Sequence, residues 1–172
     1  MRKKAFTLIE LLVVIAIIGI LATVVILNVA SARAKALDAK RLSDFSQITK
    51  ALDAYALDNG GQFPPATYAH GTSHSGWETS FLDGAGNFIP ALAPYLSPTP
   101  VDPKNTDDTK AYWYYRYNGG SYGCNNAYFY VLGIYDLETY NGSRPNPASP
   151  GWSCSGRNWG NEYDYVAGKY SS

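Results

Sequence analysis

Cysteine and histidine are nearly absent from this sequence, with two of each in 172 residues. Two cysteines, Cys124 and Cys154, permit one disulfide or two free thiols and exclude any larger disulfide framework. The histidines, His70 and His74, share one glycine- and serine-containing loop with no cysteine or third histidine beside them. A solvated loop accounts for them more simply than a zinc site, which needs about four ligands. An excess of one charge is missing as well. Fourteen basic residues face 14 acidic ones, so there is no cationic track for a phosphate backbone and no nucleic-acid partner is expected. Arg116, set among aromatic residues, is able to stack on a base, but one arginine is no track.

Catalytic patterns are lacking too. No glycine loop runs into Lys-Ser or Lys-Thr, which excludes the common nucleotide cradle. Gly151-Trp152-Ser153-Cys154-Ser155 lacks the closing glycine of a nucleophile elbow. An enzyme and a bound cofactor are therefore not expected. Helix breakers are absent from residues 28–58, where alanine recurs at 30, 32, 34, 36, 39, 51, 54 and 56, and a long helix is expected there.

What is present begins with residues 6–27, FTLIELLVVIAIIGILATVVIL, an apolar run broken by one charge, Glu10. A helix crosses the hydrocarbon core of a bilayer in about 20 residues, so this run is long enough. Arg2, Lys3 and Lys4 precede it, and positive flanks stay on the cytoplasmic side, which places the remainder across the membrane. A secretory signal peptide has a shorter apolar region, about 7–15 residues, ending at a small-residue cleavage site; here Ala32-Arg33-Ala34 lies among charges. A carboxylate inside a span costs on the order of a few kcal/mol unless it is paired. Glu10 therefore either sits shallow, among the headgroups, or finds a cation outside its own span, since no Lys, Arg or His lies between positions 5 and 33.

The residues Lys3-Lys4-Ala5 followed by Phe6-Thr7-Leu8-Ile9-Glu10 resemble the signature of the type IV pilin and type II secretion pseudopilin superfamily. Ala5 stands where glycine is usual. The resemblance implies that a prepilin peptidase cuts between Ala5 and Phe6 and methylates the new amine, and that this amine in one subunit pairs with Glu10 of a neighbour. It also implies identical subunits as filament partners, an assembly platform protein and a cytoplasmic ATPase. Loss of residues 1–5 would leave 11 basic against 14 acidic side chains, a mildly acidic product. Residues 51–65, ALDAYALDNGGQFPP, and Val101-Asp102-Pro103 ahead of an aromatic run look like the major pseudopilin of type II secretion. In that family calcium orders a late loop. The oxygen donors Asp102, Asn105, Asp107 and Asp108 lie ahead of the sheet instead, so those ligands do not carry over. A type IV pilus subunit with a disulfide-bonded C-terminal region is the near alternative, and a membrane-anchored binding module for DNA uptake or adhesion is the distant one.

The expected fold class is α+β and pilin-like: a long N-terminal helix packed against a small antiparallel sheet. The divisions are a leader over 1–5, a transmembrane and assembly helix over 6–27, an amphipathic helix over 28–59 and a globular part over 60–172. At about 100° per residue, Leu37, Phe45, Ile48, Ala51, Leu52 and Tyr55 share one side with Leu42 at its edge, while Lys40, Lys50 and Asp58 lie largely opposite. That stripe suits a docked sheet better than a coiled coil, because no strict heptad persists. Asn59-Gly60-Gly61 ends the helix.

Residues 60–110 read as loops with one short helix over 90–96. Residues 111–117 (AYWYYRY) and 127–135 (AYFYVLGIY) read as an antiparallel pair around the turn Asn118-Gly119-Gly120. Residues 162–167 supply a last strand. The irregular stretch between would be tethered by a Cys124–Cys154 disulfide, expected in an oxidising compartment and worth roughly 3.5 kcal/mol in chain entropy. The 15 tyrosines suit a sheet with one face on the helix and one toward neighbours or water, or else a sugar-binding or adhesive surface. Asn141-Gly142-Ser143 fits a glycosylation sequon, and an Asn-Gly turn equally.

Overall fold

The computed structural model describes residues 7–66 and 76–172, with the backbone alone over 24–27. His70 and His74 lie outside the described residues. Helix α1 runs over Leu8–Asp58, and the chain divides into two compact units, Met1–Ala36 and Leu37–Ser172. In the first unit α1 continues through Gly19, and it is long and apolar enough to cross a membrane by length and composition.

In the second unit the helix ends as its residues dictate. Asn59 and Gly61 each donate a backbone N–H to the Ala56 carbonyl, at 3.2 and 2.8 Å. Gly60 and Gly61 take the positive φ of a left-handed cap, 63° and 82°. Phe45, Ile48, Ala51 and Leu52 are buried, as the stripe requires. Leu37 and Tyr55 are half-buried, and Leu42 is exposed.

The sheet has four strands in the order β1 (Glu78–Thr79), β2 (Tyr112–Tyr117), β3 (Phe129–Ile134) and β6 (Tyr165–Tyr170), all antiparallel. A helical turn, α2 (Ser80–Asp83), follows β1, and a small hairpin of β4 (Ser153–Cys154) and β5 (Arg157–Asn158) stands apart. Tyr114 faces Leu132, and Leu132 faces Ala167. Side chains alternate across the pleat. Tyr112, Tyr114, Tyr130, Leu132 and Ile134 thus join Ile48 and Leu52 in one core beneath the helix. The last strand begins three residues later than expected and extends to Tyr170. A 3-10 turn at Trp159–Asn161 precedes it, and Asp164 is spent on the Leu137 N–H and on Arg144. The expected helix over 90–96 is a 3-10 turn at Pro90–Leu92, continued to Leu96 by its N–H bond to the Leu92 carbonyl.

The sheet's second face is largely covered by the chain itself rather than left to water. Trp77, Trp152, Trp159 and Tyr163 fold over it against Tyr117, Phe129, Val131 and Val166. Two strand glycines make room for them. A Cβ on Gly133 would stand 2.6 Å from the Tyr163 ring, and one on Gly168 would stand 2.4 Å from Trp152. Glycine inside a strand commonly marks such a close approach.

Candidate functional site

Three features have the character of functional or positioning sites: the start of α1, a buried ion cluster and the disulfide-tethered loop. At the helix start, Thr7 and Glu10 form a reciprocal cap. The Thr7 N–H and Oγ1 both donate to Glu10 Oε2, at 2.9 and 2.8 Å, and the Glu10 N–H donates to Thr7 Oγ1 at 3.3 Å. Thr-x-x-Glu ahead of an apolar run is the sequence form of this capping box. Neither sequence-based account of Glu10 included it. Glu10 Oε1 accepts no hydrogen bond among the described residues. The side chains that follow stand open within their unit; Leu8 and Ile20 are 81% and 68% exposed. Such a surface in water would be a large apolar patch, and patches of that kind mark membrane or protein contact. Ala5 and Phe6, the expected processing site, lie outside the described residues.

The second feature was not anticipated. Asp38, Arg41 and Asp44 share the buried face of α1 with Phe45 and Ile48. The Arg41 guanidinium has no exposure and donates to Asp38 at 2.9 Å, to both Asp102 oxygens at 2.6 and 3.1 Å, and to Glu138 at 3.1 Å. Asp38 in turn accepts the backbone N–H groups of Glu138 and Thr139, each at 2.8 Å. Lys104 reaches Glu138 at 2.9 Å. Asp44 takes Lys40 and the Tyr112 hydroxyl. Two carboxylates from distant segments, Asp102 and Glu138, are thereby held to one helix.

Burial works against ionising Glu138. Hydrogen bonds from Lys104 and Arg41, with the Lys110 charge nearby, outweigh it and hold Glu138 at about 2. For Asp38 burial is likewise outweighed, by the N–H groups of Glu138 and Thr139, and its carboxyl stays below the ordinary aspartate value. The sequence signal was there: Asp38, Arg41 and Asp44 repeat at i, i+3 and i+6 in phase with the apolar stripe.

Of the oxygen donors considered for calcium, one belongs to this cluster and two others are engaged elsewhere. Asp102 is bound to Arg41 and accepts the Lys104 N–H. Asp107 caps the 3-10 turn at Asp108–Lys110, and Asn105 bonds Ser80. Among the described residues no group of three or more His, Cys, Asp or Glu side chains is placed to hold a metal ion.

Cys124 and Cys154 are joined, with Cα atoms 5.1 Å apart. The bridge ties the loop after β2 to β4, and the Gly156 N–H adds a bond to the Tyr122 carbonyl. Over the candidate sequon, the Tyr140 hydroxyl donates to the Ser143 carbonyl and closes a turn around exposed Asn141. Arg116 is used within the fold, donating to the Phe63 carbonyl and lying over the Tyr128 ring.

Comparison with known proteins bears on the N-terminal segment first: residues 1–26 match the prokaryotic N-terminal methylation motif. The type II secretion system core protein G of Escherichia coli (strain K12) is 33% identical over 127 residues, 71% of this chain and 77% of that protein. The protein of that name from Pseudomonas aeruginosa (strain PAO1) is 35% identical over 105 residues, 59% of this chain and 68% of its own length. For the one from Aeromonas hydrophila, the match is 47% over 58 residues, covering 34% of this chain and 41% of the relative. No solved structure matches significantly. The chain belongs to the type II secretion system core protein G family, within the type IV pilin and type II secretion pseudopilin superfamily.

Proposed function

We propose that this chain is a structural subunit of an extracytoplasmic helical filament, the pseudopilus of a type II secretion system. In this reading residues 1–5 are a leader that keeps the N-terminus cytoplasmic, residues 6–27 anchor the chain in the bacterial cytoplasmic membrane, and residues 60–172 lie outside it. A prepilin peptidase cuts between Ala5 and Phe6 and methylates Phe6. Subunits then leave the lipid for a bundle of their own helices, driven through a platform protein by a cytoplasmic ATPase.

The observation that carries the reading is an apolar helix surface with one carboxylate at its start. Moving that surface from lipid into a bundle of like helices conserves its apolar surroundings, so transfer is nearly neutral for the side chains, and a polar contact is left to set register. Both Thr7 bonds converge on Glu10 Oε2. Oε1 is therefore available to a neighbour's Phe6 amine, and capping and pairing are compatible. Replacing Glu10 by Ala is expected to abolish filaments while the subunit stays in the membrane. Filaments at the unsubstituted level in the variant would sink the role given to Glu10, and a chain that forms no filaments even with Glu10 in place would favour a non-polymerising anchored module.

A further inference from the structure

On the outer face of the sheet lies a cavity of about 620 Å³, within the roughly 300–1,000 Å³ of small-ligand sites. Trp77, Trp113, Tyr115 and Tyr163 form aromatic walls. The Trp77 ring centroid lies 5.6 Å from Tyr115 and 5.8 Å from Tyr163, with interplanar angles of 32° and 36°. Asn118, Ser121, Tyr122, Arg157 and Glu162 supply polar groups around them. A sheet face that needed only a cover would not require this second set.

The polar groups are locked in place. Arg157 Nε and Nη2 donate to the two Glu162 oxygens at 2.7 and 2.6 Å, and Nη1 reaches the hydroxyls of Tyr117 and Tyr122 at 3.1 Å each. The guanidinium also lies over the rings of Tyr122 and Trp159, 5.0 and 5.1 Å from their centroids. Its charge is thus neutralised by a bidentate pair, and Arg116 is committed to the Phe63 carbonyl. An anionic ligand such as a phosphate would find no uncommitted guanidinium. A cationic ligand, though suited to the rings, would find the one carboxylate of the lining, Glu162, already neutralised by Arg157.

What stays available is neutral hydrogen bonding. Each Glu162 oxygen keeps a lone pair beyond the one Arg157 uses, and the Tyr117 and Tyr122 hydroxyls, as acceptors from Arg157, keep their protons to donate. Burial pushes the Tyr117 phenol well above its ordinary value, so that proton is retained. Asn118 adds an amide and Ser121 a hydroxyl. A pyranose ring matches this set, with a C–H face to lay on an aromatic plane and hydroxyls around its edge. We propose that the cavity is a binding site for a neutral saccharide, stacked on its aromatic walls and held through Asn118, Glu162 and the Tyr122 hydroxyl. The site is confined to the second unit and is independent of whether copies of the chain assemble.

The test uses the full-length protein in a detergent without a sugar headgroup. Tryptophan emission and saturation-transfer NMR are followed while cellobiose, maltose and N,N′-diacetylchitobiose are added in turn. At least one disaccharide is expected to bind saturably, and Asn118→Ala and Tyr115→Leu are each expected to weaken it about tenfold. Asn118 is exposed, so its removal should leave the thermal midpoint unchanged and separate loss of binding from loss of fold. The proposal is overturned if none of the three binds, if binding is undiminished in Asn118→Ala, or if an aromatic-rich peptide occupies the cavity and no sugar does.

Discussion

The Arg41 side chain sits among carboxylates from α1 and from the segments before β2 and after β3. Removing it would leave Asp38, Asp102 and Glu138 close together with Lys104 and Lys110 reaching only Glu138 among them, and breaking a buried pair costs about 3–5 kcal/mol. Arg41→Ala is expected to lower the unfolding free energy by about that much in chemical denaturation. A loss below about 1 kcal/mol would mean that water replaces the guanidinium. Glu138, 16% exposed at its side chain, titrates at about 2 when folded, beneath its ordinary value of 4.5. A carboxyl held down in this way contributes stability that is fully present above about 4.5 and is lost as pH falls toward 2. Up to about 3 kcal/mol should disappear over that window. Glu138→Gln should flatten this part of the pH profile of unfolding, and an unchanged slope would count against the assignment. Sequence reasoning set Lys40, Lys50 and Asp58 opposite the apolar stripe, and all three are exposed. It gave no side to Asp38, Arg41 and Asp44, because their partners come largely from distant segments and each charge is buried only with its counter-charge.

At the level of elements, β2 and β3 were legible because aromatic and β-branched residues concentrate there and Asn118-Gly119-Gly120 separates them. β1 was not, since a two-residue strand exists only through its pairing with Trp113 and Tyr114. Nor was the role of Gly133 and Gly168, which depends on the rings of Tyr163 and Trp152 that lie against them. Gly168→Val should force Trp152 off the sheet and cost about 1–3 kcal/mol, read as a drop in thermal midpoint together with a red shift in tryptophan emission. No shift would show that the ring is free to move aside. The disulfide was anticipated as a tether. Its bridge to the short β4–β5 hairpin, beside the cluster of Trp152, Trp159 and Tyr163, gives it a second part: it holds down the segment that covers the sheet. Replacing Cys124 and Cys154 together by Ser is expected to cost about 2–4 kcal/mol without changing the content of helix. A circular-dichroism spectrum that loses helix as well would show that the outer layer supports the inner one.

For the molecule as a whole, the family assignment and the open helix surface lead to one expectation that needs no mutation. Mass spectrometry of the mature protein should find a methylated Phe6 as its first residue, and a chain that still began at Met1 would contradict peptidase processing. The membrane run, the position of its single acid and the α+β class were determined by the sequence alone. They rest on local quantities, namely hydrophobic length, helix propensity and the side-chain alternation of strands, which are read along the chain without knowing what meets what. The tertiary structure decided which charges lie inside, what covers the second face of the sheet and where a cavity remains. Those depend on residues far apart in sequence, such as Arg41 with Asp102 and Gly168 with Trp152, and burial of an ion or approach of a ring is settled only when both partners are in place.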